Sequence, residues 1–164
     1  MLDYTITARR TAPSLATASS ARATAASLSL DTAPEGRTDA FNPAELLLTA
    51  LAACMLKATE RVIPMLNFSL EGATVRVHGV RQDVPPLLVS IDYEIGVDTD
   101  ESDERLDLLH RNIQKYGTVY NTLASAVHLS GVIRRAGSQP RADAQVPAIA
   151  STPGTAAVSV DEVC

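Results

Sequence analysis

The side chains in this sequence best suited to covalent chemistry are two thiols, Cys54 and Cys164, and their settings differ. Cys54 closes the apolar run ELLLTALAAC, whereas Cys164 is the last residue of a stretch rich in Ala, Pro, Ser and Gly. The thiolate is the nucleophilic form, and it needs a nearby cation because burial alone raises a thiol's pKa. Lys57, one turn beyond Cys54, is a local candidate for that cation. Without such help, a free cysteine in an apolar helix behaves as a small inert hydrophobe. Two thiols do not make a disulfide framework, neither has metal-ligand spacing around it, and His78, His110 and His128 are scattered singly. No metal or cofactor is expected, and no histidine is assigned a role.

The element that must position Cys54 announces itself in Asn42 to Met55, NPAELLLTALAACM. Asn42 suits an N-cap, Pro43 the first helical position, where no N–H is needed, and Glu45 can reach back to the cap. The helix is expected to run from Pro43 to about Ile63, ended by Pro64. Its middle is apolar or small on nearly every face, the mark of a helix buried all round. One strand layer covers only one side of it, so the rest must meet another helix or another subunit, and homodimerisation is the natural solution.

Around that helix the pattern is mainly of strands. Tyr4, Ile6 and Ala8, then Leu28 and Leu30, alternate with polar residues, while residues 11 to 27 suit either a strand pair or a mobile loop. Ala33 to Phe41 has the Pro, Gly and Asp of a surface loop. Asn67 to Glu71, Thr74 to Arg81 and Val89 to Val97 read as strands of an antiparallel meander, with Pro85-Pro86 breaking between the last two. Ser102 caps a second helix with Leu106, Leu109, Ile113 and Tyr116 on its inward stripe; Gly117 interrupts it before Val119 to Ala126, and Val127 to Arg134 reads as a final strand. The expected organisation is one α+β domain over residues 1–135 and a disordered tail over 136–164.

Composition excludes some partners. With 14 Lys and Arg against 19 Asp and Glu, the formal net charge is −5, and no basic run with interleaved aromatics suggests a nucleic acid. The N-terminus MLDYTITARR has no apolar signal core, and no apolar run is long enough to span a bilayer. A soluble cytoplasmic protein with no membrane partner is the expectation.

The NPAELLLTALAAC block resembles the OsmC/Ohr superfamily, and a second block, Tyr116 to Leu123 (YGTVYNTL), resembles that superfamily's second helix, where peroxidase members carry Cys-Pro-Val-Ser-Asn-Thr-Leu or a close variant. The resemblance covers roughly residues 1–135. It implies antiparallel sheets wrapped around two central helices in an intertwined homodimer, with reactive sites at the subunit interface. It implies that Cys54 attacks the distal oxygen of an organic hydroperoxide, its thiolate stabilised by an arginine from the N-terminal strand and loop region. Arg22 is the nearest match by order and Arg37 the runner-up.

Two positions depart from the family pattern. The glutamate that holds the arginine is replaced by Ala44, with Glu45 one residue away, and the second cysteine is replaced by Gly117. Resolution of an oxidised Cys54 then falls to an external thiol or to Cys164, or no peroxidase cycle exists. The leading expectation is a thiol-dependent reductase of organic or lipid hydroperoxides, acting in oxidative-stress defence with an external thiol reductant. The competing expectation is a non-catalytic dimer of the same fold that binds a small apolar molecule.

Overall fold

The computed structural model of the chain describes residues 4–20 and 23–136; Arg22, Cys164 and all but the first residue of the expected tail lie outside them. Three strands come first, β1 (Ile6–Ala12), β2 (Leu15–Ser20) and β3 (Ala23–Asp31), followed by helix α1 (Pro43–Leu66). Then come β4 (Gly72–Gln82), β5 (Leu87–Asp98), α2 (Asp103–Tyr116), α3 (Thr118–Ala124) and β6 (His128–Arg135). The Ala/Ser/Thr stretch that suited either a strand pair or a loop is therefore strand. Short β-tolerant side chains let β1, β2 and β3 pair antiparallel in order, Thr17 standing opposite both Arg9 and Ser29.

The second sheet has the order β4-β5-β6 and is mixed. β4 and β5 form the expected antiparallel hairpin, but β6 runs parallel to β5, with Tyr93 opposite Gly131. The cause is topological: α2 and α3 lie between those strands and carry the chain back to the end where β5 began, which is what a parallel pairing requires. The core fills the space between this sheet and the helices. Ile91, Tyr93, Ile95 and Val97 alternate inward from β5 and meet Leu51, Met55 and Val62 of α1 and Leu106, Leu109 and Ile113 of α2.

Helix α1 starts as its sequence dictates. Asn42 Oδ1 accepts from the Ala44 N–H, and Glu45 Oε2 accepts from the Asn42 N–H, both at 2.9 Å. Its end differs, since the helix continues through Pro64 to Leu66 and closes on Asn67 in the left-handed conformation. Tertiary contacts override the proline: the Arg105 guanidinium, held by Glu101, donates to the carbonyls of Leu66 and Asn67 at 3.1 and 3.0 Å and satisfies the last turn. Residues 67–71 are consequently not a strand. Phe68 instead drops into the core, and Ser69 is tied to Glu101 and Thr99.

The first sheet is joined to the rest by the Leu30–Phe41 bridge, where the Asp31 N–H donates to the Phe41 carbonyl at 2.9 Å. The loop before it winds around the buried Asp31 carboxylate, which accepts from the backbone N–H groups of Ala33 and Arg37. Tyr4 and Ile6 are 67% and 71% exposed in the single chain, and Leu47, Leu56 and Met65 leave α1 with apolar exposure of its own. Among the described residues, no helix is long and apolar enough to cross a membrane.

Candidate functional site

Helix α2 runs back along α1. Arg105 at its start meets the end of α1, while Tyr116 and Gly117 at its end lie against Arg61 and Cys54. The two sequence blocks, more than sixty residues apart, thereby converge on the thiol. Cys54 is half-buried, and a Cβ built on Gly117 would stand 3.5 Å from its Sγ. The same Cβ would lie 2.9 Å from Tyr120 Cβ and 3.1 Å from the Ile113 carbonyl, so the α2–α3 junction packs tightly beside the thiol. Asn121 fixes that junction: its Nδ2 donates to the carbonyls of Gln114, Lys115 and Gly117, adding side-chain bonds where α2 ends and α3 begins.

The cations expected near the thiol fall differently. Arg22 lies outside the described residues. Arg37 turns its fork onto Asp39, with N–O distances of 2.8 and 2.7 Å, and that hydrogen bond raises its pKa above the usual arginine range. Lys57 is exposed one turn on from Cys54. Arg61, two turns from Cys54 and on the same face of α1, lies over the Tyr116 ring at 4.8 Å, and Lys115 approaches that ring at 5.3 Å. Glu45 is engaged in the capping box, and nine residues of helix turn it about 180° away from Cys54.

That opposite face of α1 borders a cavity of about 320 Å³ lined by Phe41, Glu45, Leu48, Thr49, Ala52, Val75 and Val77. A second hollow of about 530 Å³ shares Phe41 and Glu45 and extends to Ser27, Leu28, Thr38 and Asp39. The apolar hollow and the thiol are thus on opposite sides of one helix. Among the described residues, no group of three His, Cys, Asp or Glu side chains could hold a metal ion.

Behind Tyr120 is a polar cluster that sequence reading missed. Gln114 Nε2 donates to the Tyr93 hydroxyl at 2.8 Å, that hydroxyl lies 2.8 Å from His110 Nε2, and Gln114 Nε2 is 3.3 Å from the same ring nitrogen. An amide nitrogen only donates, so two donors converge on Nε2 and assign the histidine proton to Nδ1. The Tyr93 ring meets Tyr120 edge-on, 6.1 Å between centroids. Burial pushes the Tyr93 hydroxyl up to about 12, and Tyr120 adds to the shift against the opposing Gln114 bond. The available signal was a buried-phase tyrosine, which needs a partner for its hydroxyl, facing His110 and Gln114 one turn apart on α2.

Burial also lowers the His110 pKa, with Asp107 opposing and Arg111 assisting. The unfolded chain therefore takes up this proton first. Stability should fall as pH drops below the ordinary value of 6.5 and level off once the folded pKa is passed. Urea unfolding at pH 7.5 and 5.5 is expected to show a larger stability loss for the natural chain than for His110→Gln. Equal losses would place the pH sensitivity elsewhere.

A family model described as OsmC-like protein matches residues 36–130. Comparison with curated protein sequences gave no match. Among solved structures, an OsmC-like protein from Mycoplasma pneumoniae is 23% identical and superposes with a TM-score of 0.74 over 82% of this chain and 97% of its own. An organic hydroperoxide resistance protein OsmC from Legionella pneumophila is 17% identical, with a TM-score of 0.65 over 81% and 97% of the two chains. The organic hydroperoxide resistance protein OhrB of Bacillus subtilis is 15% identical, with a TM-score of 0.60 over 81% and 98%. At these identities the likeness to the solved structures is one of fold. Together with the family match, which spans both the Cys54 and the Gly117 blocks, it means that this chain belongs to the OsmC-like protein family.

Proposed function

We propose that the protein is a thiol-dependent reductase of organic or lipid hydroperoxides, acting in the cytoplasm as a homodimer with Cys54 as nucleophile. The observation that carries the reading is the convergence of the two blocks on Cys54 Sγ, within 3.5 Å of the Cβ position at Gly117. The family match and the hydroperoxide-resistance names of several fold neighbours support it. The weakly anchored first sheet and the exposed apolar residues of α1 support a second copy covering them.

In the proposed reaction the Cys54 thiolate attacks the distal peroxide oxygen. The S–O bond forms as the O–O bond breaks, and the departing alkoxide takes a proton to leave as the alcohol. Cys54 becomes a sulfenic acid. With glycine at 117, one external thiol condenses with it to a mixed disulfide and water, and a second releases Cys54 and a small disulfide. A cation from the N-terminal region that stabilises the thiolate, with Arg22 the candidate, belongs to the proposal. Cys54→Ser should abolish cumene hydroperoxide consumption supported by dithiothreitol, while Cys164→Ser retains it. Equal consumption by the Cys54→Ser protein would refute the role of Cys54.

A second reading has its own observation. The 320 Å³ cavity of Phe41, Leu48, Ala52, Val75 and Val77 lies on the face of α1 away from the thiol and could take a small apolar molecule without using Cys54. Rapid hydroperoxide reaction at Cys54 favours the first reading, and an inert thiol the second.

A further inference from the structure

We infer that the thiol which reacts at Cys54 is a small one carrying carboxylates, seated by Arg61 and Lys115 with Lys57 between them and the sulfur. The inference deepens the proposed function and rests on its external-thiol step. Its starting point is an imbalance of charge. The chain is acidic, with a formal net charge of −5, yet Arg61 and Lys115 are drawn to one aromatic ring, 4.8 and 5.3 Å from the centroid of Tyr116. Neither is in any salt bridge found among the described residues, and both are exposed. Placed around one ring, the two charges stand at most about 10 Å apart, and an anion between them is attracted by both.

The position of the pair relative to the sulfur selects the ligand. Tyr116 directly precedes Gly117, whose Cβ position is 3.5 Å from Cys54 Sγ. On α1, Lys57 and Arg61 follow Cys54 by three and seven residues, which keeps them near its face and raises them about 5 and 10 Å along the axis. A molecule with its sulfur at Cys54 and carboxylates several bonds away spans the distance to these cations. A neutral thiol gains nothing from them. Glycine at 117 leaves the approach beside Sγ free of a competing protein thiol.

The test needs no peroxide, so it stands apart from the hydroperoxide reading. In the 164-residue chain carrying Cys164→Ser, Cys54 is the sole thiol. Its thiolate attacks one sulfur of oxidised glutathione, forming the mixed disulfide while the old S–S bond breaks and glutathione thiolate leaves. The neutral comparison is 2-hydroxyethyl disulfide, with both rates read by intact mass and normalised to those of free cysteine. The expected result is about a tenfold preference for oxidised glutathione, the scale of two part-exposed charge pairs, lost in 0.5 M NaCl. Arg61→Gln with Lys115→Gln should erase the preference and leave the neutral rate unchanged. No preference in the parent protein, equal slowing of both reagents in the variant, or no mixed disulfide with either reagent would overturn the inference. If glutathione selectivity is found but Cys54 ignores hydroperoxide, the anionic-thiol site stands and the peroxidase reading fails.

Discussion

Gly117→Cys, made in a chain that also carries Cys164→Ser, is expected to give a protein that closes an intramolecular disulfide with Cys54 after one equivalent of organic hydroperoxide. The Cβ position is already 3.5 Å from Cys54 Sγ, and the backbone at 117, φ −79° and ψ 105°, is open to any residue. In a disulfide the Cβ of one cysteine lies about 3 Å from the sulfur of the other, so an approach of about half an ångström separates this geometry from a bond. The obstacle is steric. Tyr120 Cβ at 2.9 Å and the Ile113 carbonyl at 3.1 Å must give way, at a cost of about 1–3 kcal/mol. The first contact is with a Cβ atom itself, so only Tyr120→Gly removes it. The expected readout is loss of both thiols and a mass lower by two hydrogens, with turnover no longer sensitive to which monothiol is supplied. Two free thiols in folded, oxidant-treated protein would contradict the placement of Gly117 beside Cys54.

Gly131→Ala should be the most damaging glycine-to-alanine change among the described residues. A Cβ at 131 would meet the Tyr93 carbonyl oxygen at 2.4 Å and the Tyr93 ring at 2.5 and 2.6 Å. Tyr93 is the register partner of Gly131, and its ring lies across β6 because nothing projects there. The added methyl must displace backbone rather than a flexible tip, and with it the ring whose hydroxyl binds His110 and Gln114. A loss of about 3 kcal/mol is expected in urea unfolding, at the upper end of ordinary overpacking. Val132→Ala, on an adjacent and partly exposed position, should cost less than about 1 kcal/mol. Comparable losses for the two would show that the ring does not lie where β6 needs glycine.

The sequence was most legible where local chemistry and tertiary structure agree. The NPAE cap, the alternation through Ile91, Tyr93, Ile95 and Val97, and the stripe of Leu106, Leu109 and Ile113 each specify their element alone, and each is found in place. It misled where a distant residue decides. Pro64 lies inside α1 because Arg105, from another helix, caps the carbonyls beyond it, and residues 67–71 are loop because Phe68 is drawn into the core. The direction of β6 depends on the path of α2 and α3 rather than on its own residues. For the site, motif resemblance gave Cys54 and Gly117 but not the geometry that joins them. The Tyr93–His110–Gln114 cluster has no motif, since its members come together only when β5 and α2 pack.

A single-turnover experiment decides whether Cys54 is a peroxide-reactive thiol. Reduced Cys164→Ser protein is mixed with one equivalent of cumene hydroperoxide, and intact mass and free-thiol count are followed from the first seconds, beside free cysteine as the reference. The expected result is loss of the Cys54 thiol orders of magnitude faster than the reference, with a mass gain of one oxygen and release of the alcohol. A Cys54 thiol consumed no faster than free cysteine would contradict it.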